Sequence, residues 1–246
     1  MSGANEFVAR AVLKAYLGRA LRYEYVVPGS GVRADAIDVT LESIDGWEIK
    51  TAVDSVKRLA GQVQGYQQYF DRCWLFAAPK RAAVELPSWW GLVTFEAEAF
   101  PEFDWSGNYD HAGYRSRFAD VVAGATVTVV RDALPSPRQD ARSLWATMWA
   151  GERKAVLVAL DDHPSKHWQH ERITSRLSVE QLQKLARWTL VNRDPAQYPF
   201  SKARARWWAA QVAGLVGLEW APPAPLDPGA DGVTEFQPSL FAEASA

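Results

Sequence analysis

The sequence predicts an α/β fold: a mixed sheet flanked by helices, followed by a helical C-terminal region and a flexible tail. Three observations support this. Short β-rich runs alternate with helical periodicity over the first half. From Arg142 only helical periodicity remains. From Ala221 the composition turns to Pro-Pro-Ala-Pro-Leu-Asp-Pro-Gly, which sustains neither a packed helix nor a strand.

Glu6 to Leu17 spaces Phe7, Ala11, Leu13 and Leu17 near helical intervals, with Ser2 and Asn5 as candidate caps. Tyr23 to Val27 is rich in β-formers and runs into Pro28-Gly29-Ser30-Gly31, so it reads as the first strand. Asp35 to Leu41 and Trp47 to Val53 make the next two. On Lys57 to Phe70, Leu59, Val63, Tyr66 and Phe70 form one helical stripe. Cys73 to Ala78 is a short apolar run suited to a buried strand. Leu92 to Phe95 and Thr126 to Val130 continue the strand signal, and the polar, aromatic segment between them predicts an irregular insertion near 98–120. Ser143 to Trp149, Val179 to Leu190 and Lys202 to Leu215 read as helices, the second opened by a Ser178/Gln181 capping box. The expected division is a core over 1–135, a helical region over 136–220 and a tail over 221–246.

The 246 residues carry a net charge of −2, so any contact with a polyanion must come from a local basic face. The lone Cys73 excludes a disulfide framework, and zinc-site spacing is absent. With no signal-peptide pattern and no apolar run of membrane-spanning length, the expected setting is cytoplasmic and reducing, with no membrane contact. Most of the 12 tryptophans are expected to be core or interface anchors.

Chemistry concentrates in Arg33-Ala34-Asp35 and Trp47-Glu48-Ile49-Lys50. In an extended strand, side chains two apart share a face, so Glu48 and Lys50 aim a carboxylate and an amine at one spot. Magnesium keeps several waters and needs only one or two protein carboxylates beside substrate phosphate oxygens. An Asp on a neighbouring strand completes the minimum for metal-dependent phosphodiester hydrolysis. Its identity depends on register. A hairpin tip near Leu41-Glu42 places Asp35 opposite Glu48, and a tip near Ser43 places Asp38 there. The strongest turn signal, Asp45-Gly46, fits neither, and a bulge would change which side chains face the site.

The ordered series Arg33-Ala34-Asp35, Gly46-Trp47-Glu48-Ile49-Lys50, Asp54, Lys57-Arg58-Leu59, Gln62-Val63-Gln64-Gly65-Tyr66 and Tyr69-Phe70-Asp71-Arg72 resembles small phage and bacterial nucleases of the PD-(D/E)xK superfamily. The likeness extends to Leu86-Pro87-Ser88-Trp89-Trp90-Gly91-Leu92 and covers roughly the first hundred residues. It departs at Thr51-Ala52 and at Asp38. The resemblance implies a restriction-endonuclease-like fold and a DNA endonuclease acting in repair, recombination or phage DNA metabolism. It favours Asp35 over Asp38, and implies that Asp35, Glu48 and the Ile49 carbonyl hold Mg2+ or Mn2+ while Lys50 orients water and offsets developing charge. Gln62 and Tyr66, on one face of the following helix, would border the site, and Glu6 or Glu24 would supply a further acid. The alternatives are a non-catalytic DNA-binding adaptor of the same fold and a restriction or defence endonuclease that needs a partner. Oligomeric state, monomer or dimer, stays open.

Three further features lie outside that series. His163, His167 and His170 approach a metal-binding spacing, but Pro164 interrupts them and a polar turn is expected. Lys202, Arg204 and Arg206 precede Trp207-Trp208, a pattern that fits DNA contact or, equally, one solvated and one core helix face. In the tail, Phe236-Gln237-Pro238-Ser239-Leu240-Phe241 resembles the peptide by which bacterial repair proteins dock on the sliding clamp, with Leu240 and Phe241 as apolar anchors and Gln237 as the polar selector.

Overall fold

The computed structural model describes residues 5–100, 111–160, 175–193 and 202–217. The histidine cluster and the tail, including Gln237, Leu240 and Phe241, lie outside the described residues.

Six strands form one sheet in the order β1 (Arg22–Val26), β2 (Arg33–Val39), β3 (Ile44–Lys50), β4 (Arg72–Ala77), β5 (Gly91–Glu96) and β6 (Thr126–Arg131). The first three run as an antiparallel meander, β3, β4 and β5 are mutually parallel, and β6 closes the far side antiparallel to β5. The mixed α/β architecture expected from the sequence is therefore present. No described helix is long and apolar enough to cross a membrane.

One sheet face is covered by α1 (Glu6–Leu17) and α3 (His111–Ala123). Val8, Val12 and Leu13 meet Ala36, Trp47, Ile49, Phe76, Val93 and Phe95 there. The Asn5 side chain caps α1 by accepting from the Val8 amide at 3.0 Å, and Gly18 ends it at φ 65°, returning its N–H to the Lys14 and Ala15 carbonyls. The apolar stripe differs from the expected one: Phe7 is exposed and stacks on Phe118 of α3. That helix, which overlaps the segment expected to be irregular, is amphipathic only weakly, so its periodicity is faint in the sequence.

The other face is covered by α2 (Leu59–Gln67) together with α4 (Ala141–Ala146), α5 (Ala150–Ala159), α6 (Val179–Asn192) and α7 (Lys202–Val216). Ile37, Ile44, Tyr66, Tyr69, Phe70, Leu75 and Trp90 share one continuous core with Leu144, Trp145, Trp188 and Trp208. Sheet and helical region are thus buried against each other. Polar ties reinforce the joint. Asp71 accepts from the Arg187 side chain at 2.7 and 2.9 Å, from Gln139 at 2.9 Å and from the Ile44 amide at 2.6 Å. Cys73 is buried in β4, its thiol held protonated by desolvation, with Ser136 Oγ at 3.7 Å.

The β2–β3 hairpin turns at Thr40–Ser43, not at Asp45-Gly46. Thr40 Oγ1 accepts from the Glu42 and Ser43 amides at 3.1 and 3.0 Å, and Thr40 N donates to the Ser43 carbonyl. Gly46 instead sits inside β3, where a Cβ would come within 2.4 Å of the Phe70 ring.

Candidate active site

The hairpin turn sets the register. Ala36 faces Trp47 and Asp38 faces Asp45, so one step beyond the last ladder pair Asp35 faces Glu48. Strand alternation breaks at this point. Ala36 packs in the α1 layer and Ala34, two residues away, in the opposite one, with Tyr23 and Tyr25 on β1 divided the same way around Glu24. Glu24 adopts φ 54°, the left-handed region, which permits that reversal. Freed from the ladder, Asp35 accepts from the Ile49 amide through Oδ2 at 2.8 Å.

Glu48 is 1% exposed, and both its oxygens are engaged. Oε1 accepts from Lys50 Nζ at 2.5 Å and from Gln62 Nε2 at 2.9 Å, while Oε2 accepts from the Tyr66 hydroxyl at 2.7 Å. The four-residue spacing of Gln62 and Tyr66 on α2 delivers both donors to one carboxylate. Burial and then the Glu48 charge raise the Tyr66 phenol well above its ordinary range, so it remains a donor. Its ring stacks on Trp90 at 5.3 Å.

A second acidic group adjoins the first. Oxygens of Glu6, Glu24 and Asp35 all lie within 4.8 Å of one another. Arg10 bonds both Glu6 and Glu24, and Arg33 pairs with Glu24 at 2.7 Å. Asp35 thus lies near Glu6 and Glu48 together. Burial first, and then the Glu48 charge, push its carboxyl up to about 6, against the lowering effect of the Ile49 amide and Lys50.

The structure therefore brings Asp35, Glu48, Lys50, Gln62 and Tyr66 together, with Glu6 and Glu24 beside them. It does not bring Asp38. That residue lies opposite Asp45 in the register of the other sheet face, buried and paired with Arg19. On α7, the Arg204 guanidinium lies 4.4 Å over the Trp207 ring and Trp208 is buried against Trp188, so this tryptophan pair belongs to the core side of the helix. The Lys202 side chain lies outside the described ones. Sequence reasoning missed Arg10, whose signal was its place four residues after Glu6. It also missed the turn after Lys50, where Asp54 Oδ2 accepts from Thr51 N and Oγ1 at 2.7 and 2.8 Å.

The donor set fits a hard divalent cation. Oxygens of three carboxylates (Glu6, Glu24 and Asp35) converge, Glu48 adjoins Asp35 with both its oxygens hydrogen-bonded, and three cationic side chains (Arg10, Arg33 and Lys50) offset part of the negative charge. Gln62 Oε1 is buried beside Glu48 and accepts no hydrogen bond from a described residue, an oxygen in want of a cation or a water.

Residues 14–85, from within α1 to just beyond β4, match the family model described as Bacteriophage P4 protein cII, which is less than half of the chain. A solved structure described as SPO1766 protein of unknown function from Silicibacter pomeroyi is 18% identical, with 68% of this chain and 98% of that one covered at a TM-score of 0.38, too slight a likeness to carry an argument. No curated protein matches the chain.

Proposed function

We propose that this protein is a Mg2+- or Mn2+-dependent deoxyribonuclease that hydrolyses phosphodiester bonds within DNA. The observation that carries the reading is the meeting of Asp35, Glu48 and Lys50 at one point, with Glu48 oriented by Gln62 and Tyr66. Asp35, Glu48 and the Ile49 carbonyl would hold the cation, with Glu6 or Glu24 as a further ligand. Bound there, it supplies Lewis-acid polarisation of the phosphoryl oxygens. Lys50 offsets charge developing on those oxygens and orients the attacking water, and its contact with Glu48 keeps the amine aimed at the site. The tail peptide around Gln237, Leu240 and Phe241 supports recruitment to the bacterial sliding clamp, which would raise local concentration without touching the chemistry.

The test is cleavage of linear, branched and single-stranded DNA in magnesium, in calcium and in chelator, with Lys50→Ala as control. Magnesium-dependent cleavage, poor in calcium and lost in Lys50→Ala, is expected. Full activity in chelator, or in Lys50→Ala, overturns the assignment. Recruitment is tested apart from it by titrating a fluorescent peptide of residues 234–246 with purified clamp, where saturable binding lost on replacing Leu240 and Phe241 with Ala is expected.

A further inference from the structure

Most arginines of the described residues are committed to the fold. Arg10, Arg19, Arg33, Arg72, Arg187 and Arg193 pair with carboxylates. Arg22, Arg131, Arg153 and Arg176 bond backbone carbonyls. Against that pattern Lys57, Arg58, Lys80 and Arg81 stand out, since none of the four makes an ion pair or a side-chain hydrogen bond with a described residue. Lys57, Arg58 and Lys80 are exposed and Arg81 is half-buried.

The topology gathers these cations. β3 and β4 run parallel with Lys50 beside Ala77, and the Ala78 amide donates to the Lys50 carbonyl at 2.8 Å. Lys57 and Arg58 follow β3 on the way into α2, and Lys80 and Arg81 form the 3-10 turn Pro79–Arg81 that follows β4. Both segments leave the sheet at its carboxyl edge, next to Lys50, where parallel sheets bind ligands. The closest exposed carboxylate in the chain, Glu85, pairs with none of them. Other cations unpaired among the described residues lie away from this edge in the chain, among them Arg115 and Arg117 on α3, Arg138 in the loop before α4, Arg142 on α4 and Arg206 on α7.

One apolar side chain completes the edge. Val53 is 80% exposed on the turn that Asp54 locks against Thr51, three residues from Lys50. An apolar contact on the same edge as four cations fits a polymer that presents sugar and base edges between its phosphates better than a free anion.

We infer that the carboxyl edge of β3 and β4, carried by Lys57, Arg58, Lys80 and Arg81 with Val53 among them, is the surface that tracks the DNA backbone across the active site. This rests on the nuclease reading and adds the path of the substrate. The edge supplies the phosphate contacts next to the active site. DNA laid along it passes directly over Lys50 and Glu48.

The experiment is binding, kept separate from cleavage. A fluorescein-labelled duplex is titrated with the full chain in calcium at several salt concentrations. The wild type is compared with Lys57→Gln/Arg58→Gln/Lys80→Gln/Arg81→Gln and with a control lacking three exposed cations elsewhere, Arg138→Gln/Arg142→Gln/Lys154→Gln. The edge variant should lose at least about tenfold in affinity, and its slope of log K against log salt should shrink by about 0.9 for each phosphate contact removed. The control should bind as wild type. Equal affinity and slope for edge variant and wild type would overturn the inference while leaving the nuclease reading intact, because cleavage is not measured. Loss of binding to phosphatidylserine vesicles with DNA affinity unchanged would overturn it in favour of a membrane surface. Absence of wild-type DNA binding would overturn both.

Discussion

Glu48 is a carboxylate with little freedom left: three donors from two elements hold it, and it is almost wholly buried. Removing it does more than remove a proposed metal ligand. Glu48→Ala leaves the buried Tyr66 hydroxyl and the Gln62 amide without their acceptor, and the expected loss of stability is about 1–3 kcal/mol, read from urea denaturation. Lys50→Ala orphans no buried donor but takes the cation from the buried Glu48 carboxylate, so it too should lose stability to urea, by up to about 3–5 kcal/mol, whereas Lys50→Arg keeps the charge and separates chemistry from folding. Asp35 makes a second prediction. Its folded pKa of about 6 lies above the ordinary 3.8, so its contribution to stability is fully present below 3.8 and is lost as pH rises through about 6. Asp35→Asn, which has no charge to bury, should therefore gain in Tm relative to wild type between pH 4 and pH 7.5, measured in chelator. A Tm difference independent of pH would mean that Asp35 is not desolvated. That Asp35, and not Asp38, faces Glu48 was legible only through the family likeness. The local sequence left the hairpin tip open, and a Thr hydroxyl decides it by bonding two amides.

At the scale of elements, the clearest failure of sequence reading is Asp45-Gly46, a strong turn signal that lies inside a strand. A glycine's freedom and a glycine's lack of volume look alike in a sequence. Here volume is what counts, because the Phe70 ring occupies the space of the missing Cβ. Gly46→Ala should cost about 1–3 kcal/mol through overpacking, seen as a lower urea midpoint. Recovery of stability in Gly46→Ala/Phe70→Leu would assign the cost to that contact. Other elements were legible because their signals are local: the Ser178/Gln181 capping box forms as read, and the alternation of strand and helix over the first half is borne out. Helices α3 and α5 were missed. The periodicity of α3 is faint, whereas α5, inside the region read as helical, is more amphipathic than α2 and α7 and was simply not singled out.

For the whole molecule, the helical region is not an appendage. Leu144, Trp145, Trp188 and Trp208 complete the core that Ile37, Tyr69 and Leu75 begin, and Asp71 and Arg187 bind the two parts across their seam. A fragment of residues 1–135 would expose that sheet face to water, a patch far larger than soluble monomers tolerate. It should aggregate, or bind a hydrophobic dye strongly while losing near-ultraviolet dichroism. A soluble fragment with cooperative unfolding would show instead that the sheet and its first helices fold alone.

The sole cysteine offers a use of its own. Cys73 lies in a central strand, sealed between helices and disarmed as a nucleophile by its surroundings. Alkylating reagents should reach it only when the whole sheet opens, so each molecule carries a built-in counter of unfolding events that needs no engineering. In a mass spectrum a single added label would mark the chains that have opened once. Where alkylation outpaces reclosing, at a pH high enough to form the thiolate, the growth of that peak with time gives the lifetime of the native state at any salt or metal concentration.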